Sequence, residues 1–243
     1  MADAGATRSR IGDRLATFYD LRASEYEPED PEADLRFRKV LRAADLAPGA
    51  RLLDVGAKWG RLGQRARELG LDIEYVGLEL SDENVRKAAA LGLDVRKADV
   101  SAGLPVGDAE FDCAACLEIV EHVVDPLGLL LELRRVLRPN GRLIVSVPNP
   151  YSWVEIYREL FRRPDSEGHI GSFPTPVMEN VLNLAGLSLE RRLGTSIRIP
   201  KTLRLIPTNS ILARSRIFVA RPSDRFVFAG RDLTSRIAGG VER

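Results

Sequence analysis

Acidic residues follow three short apolar segments of this chain, where their carboxylates could hold a nucleoside. Glu79 closes IEYVGLE, Asp99 follows LDVRKA, and Glu118 follows FDCAACL. A carboxylate at the end of a parallel strand can accept hydrogen bonds from ribose hydroxyls, and one on the next strand can accept from an adenine amino group. Because parallel strands end at the same edge of a sheet, we expect these carboxylates to converge on one ligand.

A glycine turn with an acid before it, Asp54-x-Gly56-x-x-x-Gly60, lies within LLDVGAKWGRLG. Glycines there allow positive φ and a close approach of ligand to backbone, and the following helix offers free N–H groups to an anion. The pattern differs from the dinucleotide fingerprint G-x-G-x-x-G, and an acid facing a pyrophosphate is unfavourable. It therefore argues against NAD and for a ligand with a cationic group.

Two histidines are the candidate bases. His169 lies in a Gly/Pro-punctuated loop, where an imidazole could deprotonate a hydroxyl near neutral pH. His122 follows an apolar segment beside Glu121 and could be a pocket wall or a base; a structural loop role is the alternative for both.

Cys113 and Cys116 lie within an apolar strand pattern, where positions i and i+3 face opposite sides. We therefore predict core cysteines and no metal site.

The elements that must position these residues alternate along the chain. RLLDVG, IEYVGLEL, LDVRKAD, FDCAACLEIV and GRLIVSVPN have the pattern of strands, and the amphipathic segments between them have the pattern of helices. Strands separated by helices indicate crossover units and a parallel sheet. Helices are also predicted for about residues 9–23 and 35–46, with an irregular acidic segment over 25–34. We expect an α/β fold.

Composition excludes several classes of protein. The chain has 243 residues, of which 44% are hydrophobic and 29% charged, with a net charge of +1. A charge near zero gives no field that favours nucleic acid or a membrane surface. The sequence contains no run of about 18 apolar residues, so it predicts no membrane-spanning helix. It has no apolar stretch near the start, so it predicts no secretory signal. We expect a cytoplasmic protein whose net charge favours neither nucleic acid nor a membrane surface.

Five motifs, taken in order, resemble the class I S-adenosylmethionine-dependent methyltransferases, especially the small-molecule branch that resembles the ubiquinone-biosynthesis enzymes. The motifs are LLDVGAKWGRLGQ, VGLELS, KADV, FDCAACLEIVEHVVDP and LRRVLRPNGRLIVSVPN. FYDLRASEYE resembles the family's N-terminal segment that closes over the cofactor, and GHIGSFPTPVMENVLNLAGL resembles its later His-and-Phe element. The resemblance covers about residues 15–195.

The resemblance implies a doubly wound, mostly parallel seven-stranded sheet with helices on both faces, similar to a Rossmann fold. An N-terminal helical segment over residues 1–46 would close over the cofactor, and the methyltransferase domain would span 47–222. A lid-like insertion is expected after the fifth strand, at about residues 150–186. Residues 223–243 would form a C-terminal tail.

The resemblance also implies S-adenosylmethionine as cofactor and assigns residues to it. The residues implied in cofactor binding are Tyr19, Tyr26, Asp54, Gly56, Ala57, Lys58, Trp59, Gly60, Glu79, Leu80, Asp99, Val100, Leu117 and Glu118. The catalytic candidates are His169 and His122. Lys58 stands where the family usually has glycine, and Trp59 where a small residue is usual. We expect Lys58 to point outward and Trp59 to cover the ligand.

The expected reaction is methyl transfer to a small-molecule acceptor, with S-adenosylhomocysteine as product. O-methylation of a hydroxyl on a sugar, lipid precursor or secondary metabolite is favoured. The alternatives are a catalytically inactive, methyltransferase-like subunit that binds a partner protein, and an NAD-dependent oxidoreductase. A nucleic-acid methyltransferase is disfavoured because no N/D-P-P-Y/F sequence follows the fourth strand, which ends in LEIVEH.

Overall fold

The computed structural model describes residues 14–21, 31–165, 167–198, 205–228 and 231–238. Of the predicted site residues, Tyr26 lies outside the described residues. Within those ranges, no helix has both the length and the hydropathy that a membrane-spanning segment requires.

A central sheet of seven strands has the order β3-β2-β1-β4-β5-β9-β6. The pairs from β3 to β5 are parallel, and β9 runs antiparallel between β5 and β6. Two short ribbons pair β7 with β8 and β10 with β11. The strands are β1 Ala50–Val55, β2 Ile73–Glu79, β3 Val95–Lys97, β4 Phe111–Leu117, β5 Leu137–Pro148, β6 Leu187–Gly194, β7 Ser196–Arg198, β8 Leu205–Pro207, β9 Ser215–Pro222, β10 Val227–Phe228 and β11 Arg231–Asp232. The predicted seven-stranded, mostly parallel sheet is confirmed.

The strand order reverses between β1 and β4, which are neighbours in the sheet although β2 and β3 lie between them in sequence. Asp54 near the end of β1 pairs with Gly77 of β2 on one side and Ala115 of β4 on the other. In open α/β sheets, ligands bind beyond the carboxyl ends of the strands at such a point. This edge is therefore the expected place for a site.

Side-chain caps and acidic first turns start several of the helices. Ser81 Oγ accepts from Asn84 N, and Asp125 Oδ1 accepts from Gly128 N, which satisfies N–H groups that have no partner within the helix. The helices are α1 (described over 14–21), α2 Pro31–Ala44, α3 Arg61–Glu68, α4 Asp82–Ala90, α5 Pro126–Val136, α6 Trp153–Leu160, α7 Thr175–Leu184 and α8 Thr234–Ala238.

Helix α2 begins earlier in the sequence than predicted. Its first turn carries Glu32 and Asp34, which the sequence analysis placed in an irregular segment over 25–34. Acidic side chains are favourable at a helix N-terminus because they face the positive end of the helix dipole. Two of the acidic residues that suggested an irregular segment therefore belong to the first turn of α2.

Apolar side chains pack on both faces of the sheet. Cys116 lies in one core cluster with Leu53 and Leu130, and Cys113 lies in a second cluster with Leu52. Both cysteines are fully buried and not disulfide-bonded. The prediction that alternating strand positions place the two thiols in opposite cores is confirmed.

The segment after β5 divides into two parts, which differs from the predicted insertion over 150–186. Helix α6 contains no fully buried residue. Helix α7, in contrast, buries Met178 and Leu182 completely against the core that includes Leu187 of β6. Their i,i+4 spacing places both on one helix face. Helix α7 is thus part of the layer that covers the sheet.

Candidate active site

A cavity of about 880 Å³ opens at the edge of the sheet where the strand order reverses. Most of the predicted site residues within the described ranges line it. These are Tyr19, Asp54, Gly56, Ala57, Lys58, Trp59, Glu79, Leu80, Asp99, Val100, Leu117, Glu118, His122 and His169. Residues selected from the sequence by type and spacing thus come together around one space.

The glycine turn after β1 shapes one side of the cavity. Gly56 has φ 76°, and the backbone N–H groups of Gly56 and Ala57 both donate to Leu78 O, at 2.9 and 3.0 Å. A Cβ on Gly56 would lie 2.1 Å from Ile119 Cδ1. Gly60, with φ 77°, caps the start of α3 and does not line the cavity. Its role is to shape the loop.

Lys58 keeps the loop conformation that a glycine would have. Its φ is 50°, and its backbone N–H donates to Glu79 Oε2 at 2.8 Å. Its side chain, however, lines the cavity. Burial, together with the positive charge of Arg36, lowers the pKa of Lys58 to about 8, against the opposing charges of Glu167 and Glu79. The prediction that Lys58 points outward was wrong, because the residue is part of the cavity lining, where the charges of Glu79 and Glu167 act on its ammonium.

Replacing Lys58 with methionine is expected to stabilise the ligand-free protein at neutral pH. The folded chain loses the Lys58 proton near pH 8 and the unfolded chain near pH 10.5, so the wild type carries a desolvation penalty below pH 8 that fades as the pH rises towards 10.5. Urea unfolding should show the variant more stable at pH 7 by on the order of 1–3 kcal/mol. The advantage should shrink at about pH 9.5.

The matched control is Lys97→Met, which removes an exposed lysine from β3. Its surface ion pair with Asp82 contributes little to stability, so its difference from the wild type should be small at pH 7. An equal, pH-independent change in both variants would contradict the buried position of the Lys58 ammonium.

Two buried carboxylates face the cavity beside the glycine turn. Glu79 accepts from Ser81 N at 2.9 Å as well as from Lys58. Burial raises its pKa, and these backbone donors partly offset the rise. Asp54 accepts from the hydroxyl of Tyr75 at 2.7 Å, and burial raises its pKa to about 7. A cationic group beside Asp54 would favour its charged form. This side therefore fits a ligand that carries both an ammonium and a ribose.

Apolar and aromatic groups continue this wall beyond Glu79. Asp99 Oδ1 accepts from the backbone N–H and the hydroxyl of Ser101, at 3.0 and 2.6 Å. Val100 and Leu80 line the cavity nearby. The charged ends of Arg61 and Lys87 lie 5.6 and 5.8 Å from the centroid of the Trp59 ring. The arrangement can cover the flat face of a nucleobase while a carboxylate receives its amino group.

Glu118 is held by groups outside the glycine turn. Its backbone has φ 56°, directly after β4. Ser146 Oγ donates to Oε1 at 2.7 Å, and Ser215 Oγ donates to Oε2 at 3.1 Å. Arg36 of α2 forms an ion pair with the same carboxylate at 3.3 Å. Glu118 lines the cavity, as predicted, but its oxygens are engaged by β5, β9 and α2.

A second ion pair stands beside this one. Arg214 lies 2.9 Å from Glu32, which also accepts from Thr195 Oγ1 at 3.2 Å. Glu32, Arg36 and Arg214 were not among the residues predicted for the site. The i,i+4 spacing of the first two was a usable signal, since it places both on one helix face. We call Glu32, Arg36, Glu118, His122, His169 and Arg214 together the polar wall.

The two histidines meet at the end of the polar wall. Their ring centroids are 4.9 Å apart, and the Tyr19 ring packs edge-on against His122 at 6.0 Å. Burial and the neighbouring His169 hold the pKa of His122 below its usual value. Glu121, which is 1% exposed, completes a cluster whose possible ligand atoms lie within 4.8 Å of one another. Burial and the charge of Glu118 raise the pKa of Glu121 well above its ordinary value.

Comparisons with known proteins point to one family. Residues 29–191 match the methyltransferase-domain family. An uncharacterized 37.1 kDa protein in transposon TN4556 of Streptomyces fradiae is 36% identical over 126 residues, which are 50% of this chain and 36% of that protein. A ubiquinone biosynthesis O-methyltransferase of Xanthomonas oryzae pv. oryzae is 34% identical over 121 residues, 47% of this chain and 49% of that protein. The chain thus spans half or less of the length of these curated relatives.

Solved structures share the fold. A SAM-dependent methyltransferase of Thermotoga maritima, described as a possible histamine N-methyltransferase, superposes with a TM-score of 0.66 at 23% identity, covering 85% of this chain and 99% of that one. The family match covers well over half of the chain, and the glycine turn and strand-end acids lie inside it. The chain therefore belongs to the class I S-adenosylmethionine-dependent methyltransferase family.

Proposed function

We propose that this protein transfers a methyl group from S-adenosylmethionine to a hydroxyl of a polar small molecule. The observation that carries the proposal is the buried Glu79 carboxylate at the end of β2, which backbone N–H groups of the glycine turn and of α4's cap hold facing the cavity. The cavity volume of about 880 Å³ lies within the range of about 300–1,000 Å³ of small-molecule sites.

The chain's main task in this reaction is to position the donor. Bound S-adenosylmethionine supplies an activated methyl group on a positively charged sulfur. We propose that Glu79 accepts from the ribose hydroxyls, Asp99 from the adenine amino group, and Asp54 with the Gly56 turn holds the methionine end. Each carboxylate oxygen has two lone pairs, so Glu79 can accept these bonds in addition to those it has. Orienting two reactants can lower a barrier by up to roughly 10 kcal/mol.

The polar wall supports a hydroxyl-bearing acceptor. Arg36 and Arg214 line the cavity, and we propose that their guanidinium N–H groups donate to oxygens of the acceptor. A hydroxyl must lose its proton as it attacks the methyl group, and we propose that the His122 and His169 pair assists that loss. A sugar or another polyhydroxylated metabolite fits charged and hydrogen-bonding walls better than a long apolar chain does.

The two alternative functions have less support than methyl transfer. An inactive, partner-binding subunit rested on Lys58 in the glycine turn, yet the Lys58 backbone adopts the left-handed conformation and donates to Glu79. An NAD-dependent oxidoreductase would place a pyrophosphate beside Asp54, where two negative groups would repel each other. Methyl transfer from S-adenosylmethionine is compatible with both the Lys58 backbone conformation and the position of Asp54, because this donor brings no pyrophosphate to that place.

The direct test uses S-adenosylmethionine with a labelled methyl group. The purified protein is incubated with it and with an extract of the cells that encode it, and mass spectrometry identifies the labelled product. We expect one labelled small molecule in which the label is on oxygen. Label on a protein or nucleic acid, or on nitrogen or carbon, would contradict the proposed acceptor. No labelled product with tight cofactor binding would favour the inactive subunit.

Glu79→Gln is expected to weaken S-adenosylmethionine binding about 10- to 150-fold, since loss of a charge-assisted acceptor costs roughly 1.5–3 kcal/mol. Calorimetry on the purified variants measures the Kd. The control is Glu74→Gln, which removes an exposed carboxylate from the same strand and should bind like the wild type. Equal affinities for all three proteins would remove Glu79 from the cofactor site.

A further inference from the structure

We propose that Glu121, His122 and His169 bind a divalent first-row transition-metal ion at the end of the polar wall, where the ion holds the acceptor hydroxyl. The cluster combines one carboxylate with two imidazoles. The ion's role in methyl transfer rests on the proposed function, whereas binding of the ion does not.

The spacing of the three groups fits a single ion. Their possible ligand atoms lie within 4.8 Å of one another. Imidazole nitrogens and carboxylate oxygens bind such ions at about 2.0–2.2 Å, so two atoms on one ion lie at most about 4.4 Å apart. Side-chain adjustments of about half an ångström would bring the three groups onto one ion.

The environment of the Glu121 carboxylate favours a bound cation. Its side chain is 1% exposed, and neither carboxylate oxygen has a partner at hydrogen-bond geometry within the described ranges. Its own backbone N–H and the charge of Arg36 favour the charged form only in part. A buried carboxylate without a well-placed partner is costly to charge, because desolvation penalises the charge. A metal ion would supply the missing partner and neutralise the charge.

The histidines have the outer partners that metal-binding histidines usually have. His122 Nδ1 lies 3.2 Å from Gly168 O, and His169 Nδ1 lies 3.4 Å from Asp165 Oδ2. Such contacts orient the ring and leave the other nitrogen, Nε2, for the ion. In addition, the backbone of the loop is tied to the cluster, because the next two N–H groups, of residues 170 and 171, donate to Glu121 O at 2.9 and 3.0 Å. The loop is therefore built against Glu121.

The donor set indicates which ions fit. Two imidazoles with one carboxylate suit Mn²⁺, Fe²⁺, Co²⁺ or Zn²⁺, whereas Ca²⁺ and Mg²⁺ prefer oxygen ligands alone. Three protein ligands leave open coordination positions, as in catalytic sites. Because His122 and His169 line the cavity, an acceptor oxygen can take such a position. A hydroxyl on the ion loses its proton more readily, which prepares it to attack the methyl group.

The test titrates the full-length, chelator-treated protein with Co²⁺ and records the visible absorption of the bound ion. We expect one Co²⁺ per chain, with a spectrum that Zn²⁺ abolishes by competition. Glu121→Gln and His169→Ala should each weaken Co²⁺ binding by about 100-fold or more. Asp165→Asn, which removes an outer partner, should weaken it by about 10- to 100-fold. Glu159→Gln, an exposed carboxylate of α6, should bind Co²⁺ like the wild type.

Thermal unfolding shows whether a variant that does not bind the ion is still folded. Zn²⁺ should raise the Tm of the wild type, because an ion that binds only the folded state stabilises it, and should leave the Tm of Glu121→Gln unchanged. Absence of Co²⁺ binding, or equal binding by wild type and Glu121→Gln, would overturn the proposal. Metal-free protein with full methyl transfer would overturn the ion's catalytic role alone. Tight Co²⁺ binding without methyl transfer to any acceptor would instead count against the proposed function.

Discussion

Replacing His169 with alanine is expected to slow methyl transfer by on the order of 10²- to 10⁴-fold, the range that positioned acid–base assistance supplies. The residues proposed to hold S-adenosylmethionine belong to the glycine turn and the ends of β2 and β3, so the Kd for the cofactor should stay at the wild-type value. In the proposed reaction the imidazole would assist the departure of the hydroxyl proton, as a base or as a ligand of the proposed ion. Single-turnover kinetics and calorimetry measure the two quantities separately.

Ile170→Ala is the matched control for this loop. Ile170 is next to His169 and exposed, and its backbone bond to Glu121 O does not depend on its side chain. Its turnover should match the wild type. A wild-type rate for His169→Ala would remove this residue from the reaction, and an equal slowing of both variants would indicate a disturbed loop rather than a lost imidazole.

Gly56→Ala is expected to weaken S-adenosylmethionine binding about 5- to 150-fold, the effect of forcing extra volume into a packed site at about 1–3 kcal/mol. The new Cβ would lie 2.1 and 2.5 Å from Cδ1 and Cγ1 of Ile119. Ile119 lines the cavity, so its displacement takes space from the ligand. Calorimetry with the cofactor and urea unfolding without it measure the effects on binding and on stability.

Gly49→Ala separates backbone strain from this collision. Gly49 has φ 74°, nearly that of Gly56, but nothing lies within 4 Å of an added Cβ. Both variants should lose stability from the left-handed backbone, about 1–2 kcal/mol each, yet only Gly56→Ala should lose cofactor affinity. Equal cofactor affinity in both variants would show that the Gly56 turn does not border the ligand.

The residues proposed to hold the cofactor could be selected from the sequence because each has a local signal, and the structure places most of them around one cavity. Asp54, Gly56, Glu79 and Asp99 each follow or end a short apolar run, and parallel strands bring their ends to one edge whatever the surface of the protein is like. The direction of the Lys58 side chain was not predictable in this way. It depends on tertiary packing, because the charged groups that act on it, among them Arg36, Glu79 and Glu167, come from other segments.

The polar wall could not be assembled from the sequence, because its members come from segments with no local pattern in common. Arg36 meets Glu118 only because α2 packs beside the end of β4. His169 reaches Glu121 through two backbone hydrogen bonds made by its loop. Composition and spacing identified the histidines as candidates, but their distance from Glu121 depends on tertiary packing.

The antiparallel strand β9 determines when the polar wall can exist during synthesis of the chain. Arg214 and Ser215 stand at its start and contact Glu32 and Glu118 from much earlier segments. Because domains generally fold as units, the sheet is complete only when β9 has been synthesised and has inserted between β5 and β6. The contacts of Arg214 and Ser215 with Glu32 and Glu118 therefore form late, when most of the chain has emerged from the ribosome.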